Sequence, residues 1–250
     1  MHVDLNADMG ESFGPWVMGD DETLLEIVTS ANIACGAHAG DPVVMGRTMR
    51  AAVQKGVGIG AHPGFADLQG FGRRRMTLAH EEVHALVQYQ VAAAIGMARG
   101  AGGQLRHVKL HGALSNMAAE DEELARHCFG AALELDADLL IVAQAATGME
   151  RAAQALGCSW AGEIFADRGY EADGRLRQRS QPGAMIEDAE EAAARVAAML
   201  QEGAILCGDG SKIEARIDTV CLHGDTPGAI ETAARIRFAL ETAGIDLRKL

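Results

Sequence analysis

Four of the nine histidines, His38, His62, His111 and His223, each follow a short apolar run and have a glycine within two residues. Imidazole titrates near neutral pH, so four of them in one place can exchange protons, orient a water or hold a divalent metal. Any one taken alone reads as a histidine satisfied by a backbone carbonyl. Their recurrence at equivalent places points to a site. Other chemically useful groups recur with them: Asp4, Asn6 and Asp8 in alternation, Asn32 ahead of His38, Lys109 two residues before His111, Glu163, and Asp167-Arg168-Gly169. Lys109 is a fixed positive charge able to stabilise an oxyanion or pair with a substrate carboxylate. The glycine-punctuated stretch Gly64 to Arg75 ends in three arginines, and with Arg168 it forms a candidate clamp, because guanidinium meets carboxylate bidentately. The catalytic candidates are Asp8, His38, His62, His111 and His223. Those for substrate binding are Asn6, Asn32, Arg74, Lys109, Asp167 and Arg168, and whether a metal is held is left open.

Bringing these residues together requires elements that end at a common face. Apolar strand-like runs alternate with helix-periodic segments, as in a parallel sheet. The strands are expected at His2 to Asn6, Ala31 to Cys35, Val57 to Ala61, Arg106 to Leu110, Leu139 to Ala143, Trp160 to Phe165 and Thr219 to Leu222. Asp41-Pro42 and Thr226-Pro227 each set a capping side chain before a proline at the first helical position. Thr77 opens a helix to about Arg99, and Ile186 to Leu200 forms another. Gly208-Asp209-Gly210 makes 204–216 a β-hairpin inserted before the last strand. The expectation is an α/β protein: one domain, 1–250, a (β/α) barrel with the loops after its strands converging on one mouth.

A formal charge of −13 over 250 residues opposes binding to nucleic acid or an anionic membrane surface. No apolar run approaches the roughly 20 residues that span a bilayer. The start Met1-His2-Val3-Asp4 lacks the pattern of a secretory signal, so a cytoplasmic location is expected. Five cysteines without a Cys-x-x-Cys pair read as reduced thiols, and Cys35 as a space filler. His80-Glu81-Glu82-Val83-His84 matches a metalloprotease pattern formally, but sits in the first turns of an outer helix with no clear third ligand. Neither standard nucleotide-binding glycine loop is present.

The segments Asp4 to Glu11, Asn32 to Asp41, His62 to Phe65, Gly70 to Arg74, His111 to Leu114, Phe165 to Tyr170 and His223 to Pro227 resemble, in order and over essentially the whole chain, the motifs of the LamB/YcsF family. The resemblance implies a seven-stranded barrel of the glycoside hydrolase/deacetylase kind. It also implies ATP-dependent cleavage of 5-oxo-L-proline to L-glutamate with the B and C subunits of 5-oxoprolinase, ATP being bound with or by those partners. The family's Lys-Pro-His-Gly-Ala-Leu-Tyr-Asn segment here has Leu110 and Ser115 in place of the proline and tyrosine. Asn6-Ala7-Asp8 is also similar to the first motif of barrel carbohydrate deacetylases, but Met9 stands where they have a second aspartate, leaving a deacetylase-type metal set one ligand short. On this reading Asp8, with His38 or His62, orients the attacking water, His111 or His223 protonates the departing nitrogen, and Lys109, Arg74 and Arg168 neutralise a small anionic substrate. Two alternatives stay open: a stand-alone metal-dependent amidase or deacetylase, and a non-catalytic subunit of an ATP-using complex.

Overall fold

Short apolar runs bounded by glycine, proline and capping acids become strands, and the segments of helical period return the chain along the outside. The strands are β1 (His2–Met9), β2 (Ser30–Ala34), β3 (Gly58–His62), β4 (Leu105–Lys109), β5 (Leu140–Gln144), β6 (Trp160–Phe165), β7 (Ala204–Leu206), β8 (Lys212–Glu214), β9 (Thr219–Leu222) and β10 (Asp246–Leu247). The helices are α1 (Asp21–Leu24), α2 (Pro42–Lys55), α3 (His80–Gly100), α4 (Gly112–Glu120), α5 (Glu122–Leu133), α6 (Gly148–Leu156), α7 (Ala189–Glu202) and α8 (Ala229–Thr242). The structure, a computed structural model, describes residues 1–222 and 228–250. His223 and the helix start expected at Thr226-Pro227 lie outside the described residues.

Seven parallel strands pair in the order β1-β2-β3-β4-β5-β6-β9, and β9 pairs back onto β1 to close the barrel. β10 adds alongside His2 and Val3 of β1. β7 and β8 form an antiparallel pair outside the barrel. No helix among the described residues is long and apolar enough to cross a membrane.

β1 shows how the barrel uses the period of two. Val3, Leu5, Ala7 and Met9 join the apolar core, while on the inner face Asp4 reaches a side chain of the neighbouring β9 and Asn6 and Asp8 reach side chains of β6 and β4. The strand runs to Met9, beyond the expected end at Asn6, because Asp8 and Met9 continue the ladder opposite Asn32 and Ile33. Asp8 is therefore held by a strand and not by a loop.

Asp41 caps α2 as expected, its carboxylate accepting from the Val43 and Val44 N–H groups at 2.8 and 2.9 Å. α3 begins at His80 and not at Thr77: the Glu82 carboxylate reaches back to the Ala79 N–H at 2.7 Å, which fixes the first turn there. α7 likewise starts at Ala189, three residues later than expected, where Asp188 accepts from the Glu191 N–H at 2.8 Å.

Candidate functional site

From the N-terminal to the C-terminal end of β1, three side chains organise the barrel interior. Asp4 accepts from the hydroxyls of Thr29 (2.6 Å), Ser30 (2.7 Å) and Thr219 (2.5 Å). Burial raises its pKa, and the hydroxyls oppose that rise. Asn6 donates to Thr219 Oγ1 at 2.7 Å and Glu163 Oε1 at 3.1 Å. Its own Oδ1 accepts from Asn32 Nδ2 at 2.7 Å. Asp8 Oδ1 accepts from Asn32 Nδ2 and Lys109 Nζ, both at 3.0 Å.

Lys109 is the hub. Its ammonium lies 2.9 Å from Glu163 Oε1, 3.0 Å from Asp8 Oδ1, 3.2 Å from Asn6 Oδ1 and 2.9 Å from Cys221 Sγ. Burial alone would pull this ammonium down, but Asp8, Cys221 and Glu163 hold it well above its ordinary range. Lys109 is thus a permanent cation, paired on both sides and set by the strand that also leads to His111.

The imidazoles stand above it. His62 Nδ1 faces the Lys109 carbonyl at 2.8 Å and His111 Nε2 faces the Phe71 carbonyl at 2.8 Å. A carbonyl only accepts, so both of these nitrogens carry the proton. The other two, His62 Nε2 and His111 Nδ1, face each other at 3.0 Å, and His62 Nε2 is 3.2 Å from Asp8 Oδ2. His38 stacks on His111, ring centroids 3.7 Å apart and planes 3° from parallel. It is fully buried, and neither ring nitrogen has a hydrogen-bond partner among the described residues. Burial first, then the neighbouring imidazoles, keeps His38 well below its usual pKa, and burial and His62 bring His111 down to about 3. Gly72 permits this packing: at φ +62° a Cβ would lie 2.7 Å from His38 Cβ and 2.9 Å from His111 Cδ2. Nitrogens of His38, His62 and His111 and a Glu11 oxygen all lie within 4.8 Å of one another, close enough to hold a metal ion.

A cavity of about 440 Å³ opens over this floor, reaching Asp8, His62, Lys109 and His111. Its walls carry Arg73, Arg75, Arg168, Arg175, Arg177 and Arg179. Arg75 is paired with Glu120, Arg175 with Asp173 and Arg177 with Glu171. Arg168 is different. It is buried, and its hydrogen bonds go to the carbonyls of Ala184 (3.2 Å) and Arg177 (2.6 Å), which position the guanidinium, while the Asp167 carboxylate acts on it electrostatically. Burial and Arg179 lower its pKa, so an anion arriving beside it would be welcomed electrostatically.

The structure thus gathers Asp8, His62, Lys109, His111 and Arg168 at one cavity, with His38 directly behind His111. Asn6 and Asn32, expected on the substrate, are instead fully buried beneath the cavity, where they hold Asp8 and Lys109. Arg74 is not among the residues lining it: its guanidinium turns back onto Asp67 of the same loop, leaving Arg73 and Arg75 at the wall. Asp167 lines a neighbouring hollow with Met185 and Ile186, since successive loop residues point apart and Arg168 takes the cavity side.

Sequence reasoning left three participants off the candidate set: Glu11, Glu163 and His107. His107 donates from Nε2 to Asn32 Oδ1 at 2.8 Å and occupies the barrel opposite Gly60, where a Cβ would sit 2.0 Å from that nitrogen. Its placement two residues before Lys109, on the same face of β4, was the available signal. Cys35 is the buried thiol expected, pushed up to about 12 by burial.

Comparison with known proteins agrees with this architecture. The LamB/YcsF family profile matches residues 3–250. Over 245 residues the chain is 56% identical to the A subunit of 5-oxoprolinase from Ruegeria pomeroyi, covering 98% of this chain and 97% of that one. The crystal structure of a lactam utilization protein from Thermus thermophilus superposes with a TM-score of 0.94 at 44% identity, over 100% of both chains. A family 4 carbohydrate esterase from Streptomyces lividans, TM-score 0.51 at 13% identity over 99% of this chain and 91% of that one, shares the barrel fold alone. By the match of nearly its whole length and by this identity, the chain belongs to the LamB/YcsF family.

Proposed function

We propose that residues 1–250 form one catalytic barrel acting in the cytoplasm as the A subunit of an ATP-dependent 5-oxoprolinase, opening the lactam of 5-oxo-L-proline to L-glutamate with B and C subunits. The observation that carries this reading is the composition of the cavity. An acid and two imidazoles lie at its floor, and a charged lysine and a buried arginine held by backbone carbonyls stand within the same space. A lactam carrying a carboxylate needs both ends. Water must reach the ring carbonyl, and the anion must be held while the C–N bond breaks and the nitrogen takes up a proton.

A five-membered lactam is a stabilised amide, and phosphorylation of its oxygen makes the carbonyl carbon attackable. The chain has neither standard phosphate loop, so ATP binding is assigned to the partners. Asp8, His62 and His111 then form the water-activating end. Lys109 and Arg168 form the anion-holding end, with Arg179 on the same wall to meet phosphoryl charge.

The test is glutamate release from 5-oxo-L-proline by the full chain, alone and with purified B and C subunits, with and without ATP. Release only with partners and ATP is expected. Release by the chain alone without ATP would move the assignment to a stand-alone amidase, and no release in any mixture would overturn the substrate.

A further inference from the structure

The two imidazoles at the cavity floor pose an accounting problem. His62 Nδ1 and His111 Nε2 are committed to backbone carbonyls, at 2.8 Å each. Their remaining nitrogens therefore present lone pairs to each other across 3.0 Å, with a carboxylate oxygen of Asp8 3.2 Å from one of them. Three acceptor atoms thus stand together, His62 Nε2 next to each of the other two.

We infer that Asp8 Oδ2, His62 Nε2 and His111 Nδ1 are three ligands of a divalent transition metal of the zinc kind. Ligands about 2.0–2.1 Å from a tetrahedral ion lie about 3.3 Å apart, which is close to the two separations observed. Two neutral imidazoles and one carboxylate form a donor set suited to zinc, and they leave a fourth position open toward the cavity. Both histidines are oriented through their other nitrogen by a carbonyl, the arrangement that fixes the tautomer of a metal-binding imidazole.

His38 and Glu11 belong to the same cluster as His62 and His111. The His38 ring is parallel to that of His111, so its in-plane lone pairs run alongside those of His111 and do not converge with them. Its Nε2 is 3.9 Å from Glu11 Oε1, and both nitrogens are otherwise unpartnered among the described residues. The Met9 position, where a deacetylase-type second aspartate is absent, does not weaken the set, because Met9 faces the core and all three ligands come from β1, β3 and the turn after β4.

As a statement about binding, the assignment stands on this geometry. As a statement about catalysis it rests on the lactam-hydrolysis reading, in which a divalent ion would supply a Lewis acid at the water-activating end.

The test starts with the full-length chain stripped by chelator, dialysed against Zn²⁺ and assayed for bound metal. One equivalent of zinc is expected, with affinity reduced more than about tenfold in His62→Ala and in His111→Ala. It should be unchanged in the double variant His80→Ala, His127→Ala, which removes a His80–Glu123–His127 cluster on the outer helices. X-ray absorption of the wild-type zinc form needs no variant to fold, and two imidazoles in the coordination shell are expected. Failure to retain zinc, or zinc lost only in the outer double variant, would overturn the site. Glutamate release by zinc-free protein with partners and ATP would overturn the metal's catalytic role while leaving the lactam reading intact. Zinc bound at this site without glutamate release would have the opposite meaning.

Discussion

Asp4 and Asp8 share a strand and a face, four residues or roughly 13 Å apart along β1. Asp4 is surrounded by three hydroxyls that all donate to it. Asp8 meets an ammonium, an amide and an imidazole. One carboxylate ties three strand starts together at the closed end of the barrel. The other lies at the mouth, beside groups that can still give or take a proton or a ligand. Residue type and alternation are identical for the two, and depth along the axis separates structure from chemistry.

That contrast can be broken in graded steps. Lys109→Met should have the largest effect on stability, because it leaves Asp8 and Glu163 buried without their cation. A loss of about 3–5 kcal/mol is expected, read from urea unfolding, with glutamate release abolished. Asp4→Asn should cost about 1–3 kcal/mol by the same assay, through hydroxyls left without an acceptor, while kcat of the folded fraction stays at the wild-type value. His107 sharpens the comparison through pH. Burial, and after it Lys109, brings its folded pKa to about 3, against about 6.5 for an unfolded chain. Between those values the unfolded state binds the extra proton. The contribution is therefore complete above about pH 6.5 and is lost as pH falls toward 3, at roughly 1.4 kcal/mol per pH unit. Unfolding midpoints across that range should show the slope, and His107→Gln should reduce it by one proton. Arg74→Ala should do least: with its guanidinium on Asp67, KM for 5-oxo-L-proline should not move, whereas Arg168→Ala should raise it.

Much of this was legible in the order of residues. Strand ends carrying Asp8, His38, His62, Lys109 and His111 could be aligned because a parallel barrel sends every such end to one mouth. The period of two then put Asp4, Asn6 and Asp8 on one side. What the pattern could not supply was depth and direction. Asn6 and Asn32 looked like mouth residues, yet they lie one layer below and hold the groups that line the cavity. Arg73, Arg74 and Arg75 stand on a loop without periodicity, so nothing in their order says that the middle one turns away. Asp167 and Arg168 part for the same reason. His107 was readable from alternation with Lys109, but its role depends on contact with Asn32 across two strands, and such a distance is set by barrel closure.

The central claim is that Asp8, and not Asp4, belongs to the chemistry. The most direct measurement is glutamate release from 5-oxo-L-proline by Asp8→Asn and Asp4→Asn side by side, each with B and C subunits and ATP, and each shown by circular dichroism to be folded. The account predicts that Asp8→Asn loses about 10²–10⁴-fold in turnover while Asp4→Asn keeps the wild-type rate. Wild-type turnover by folded Asp8→Asn would contradict it.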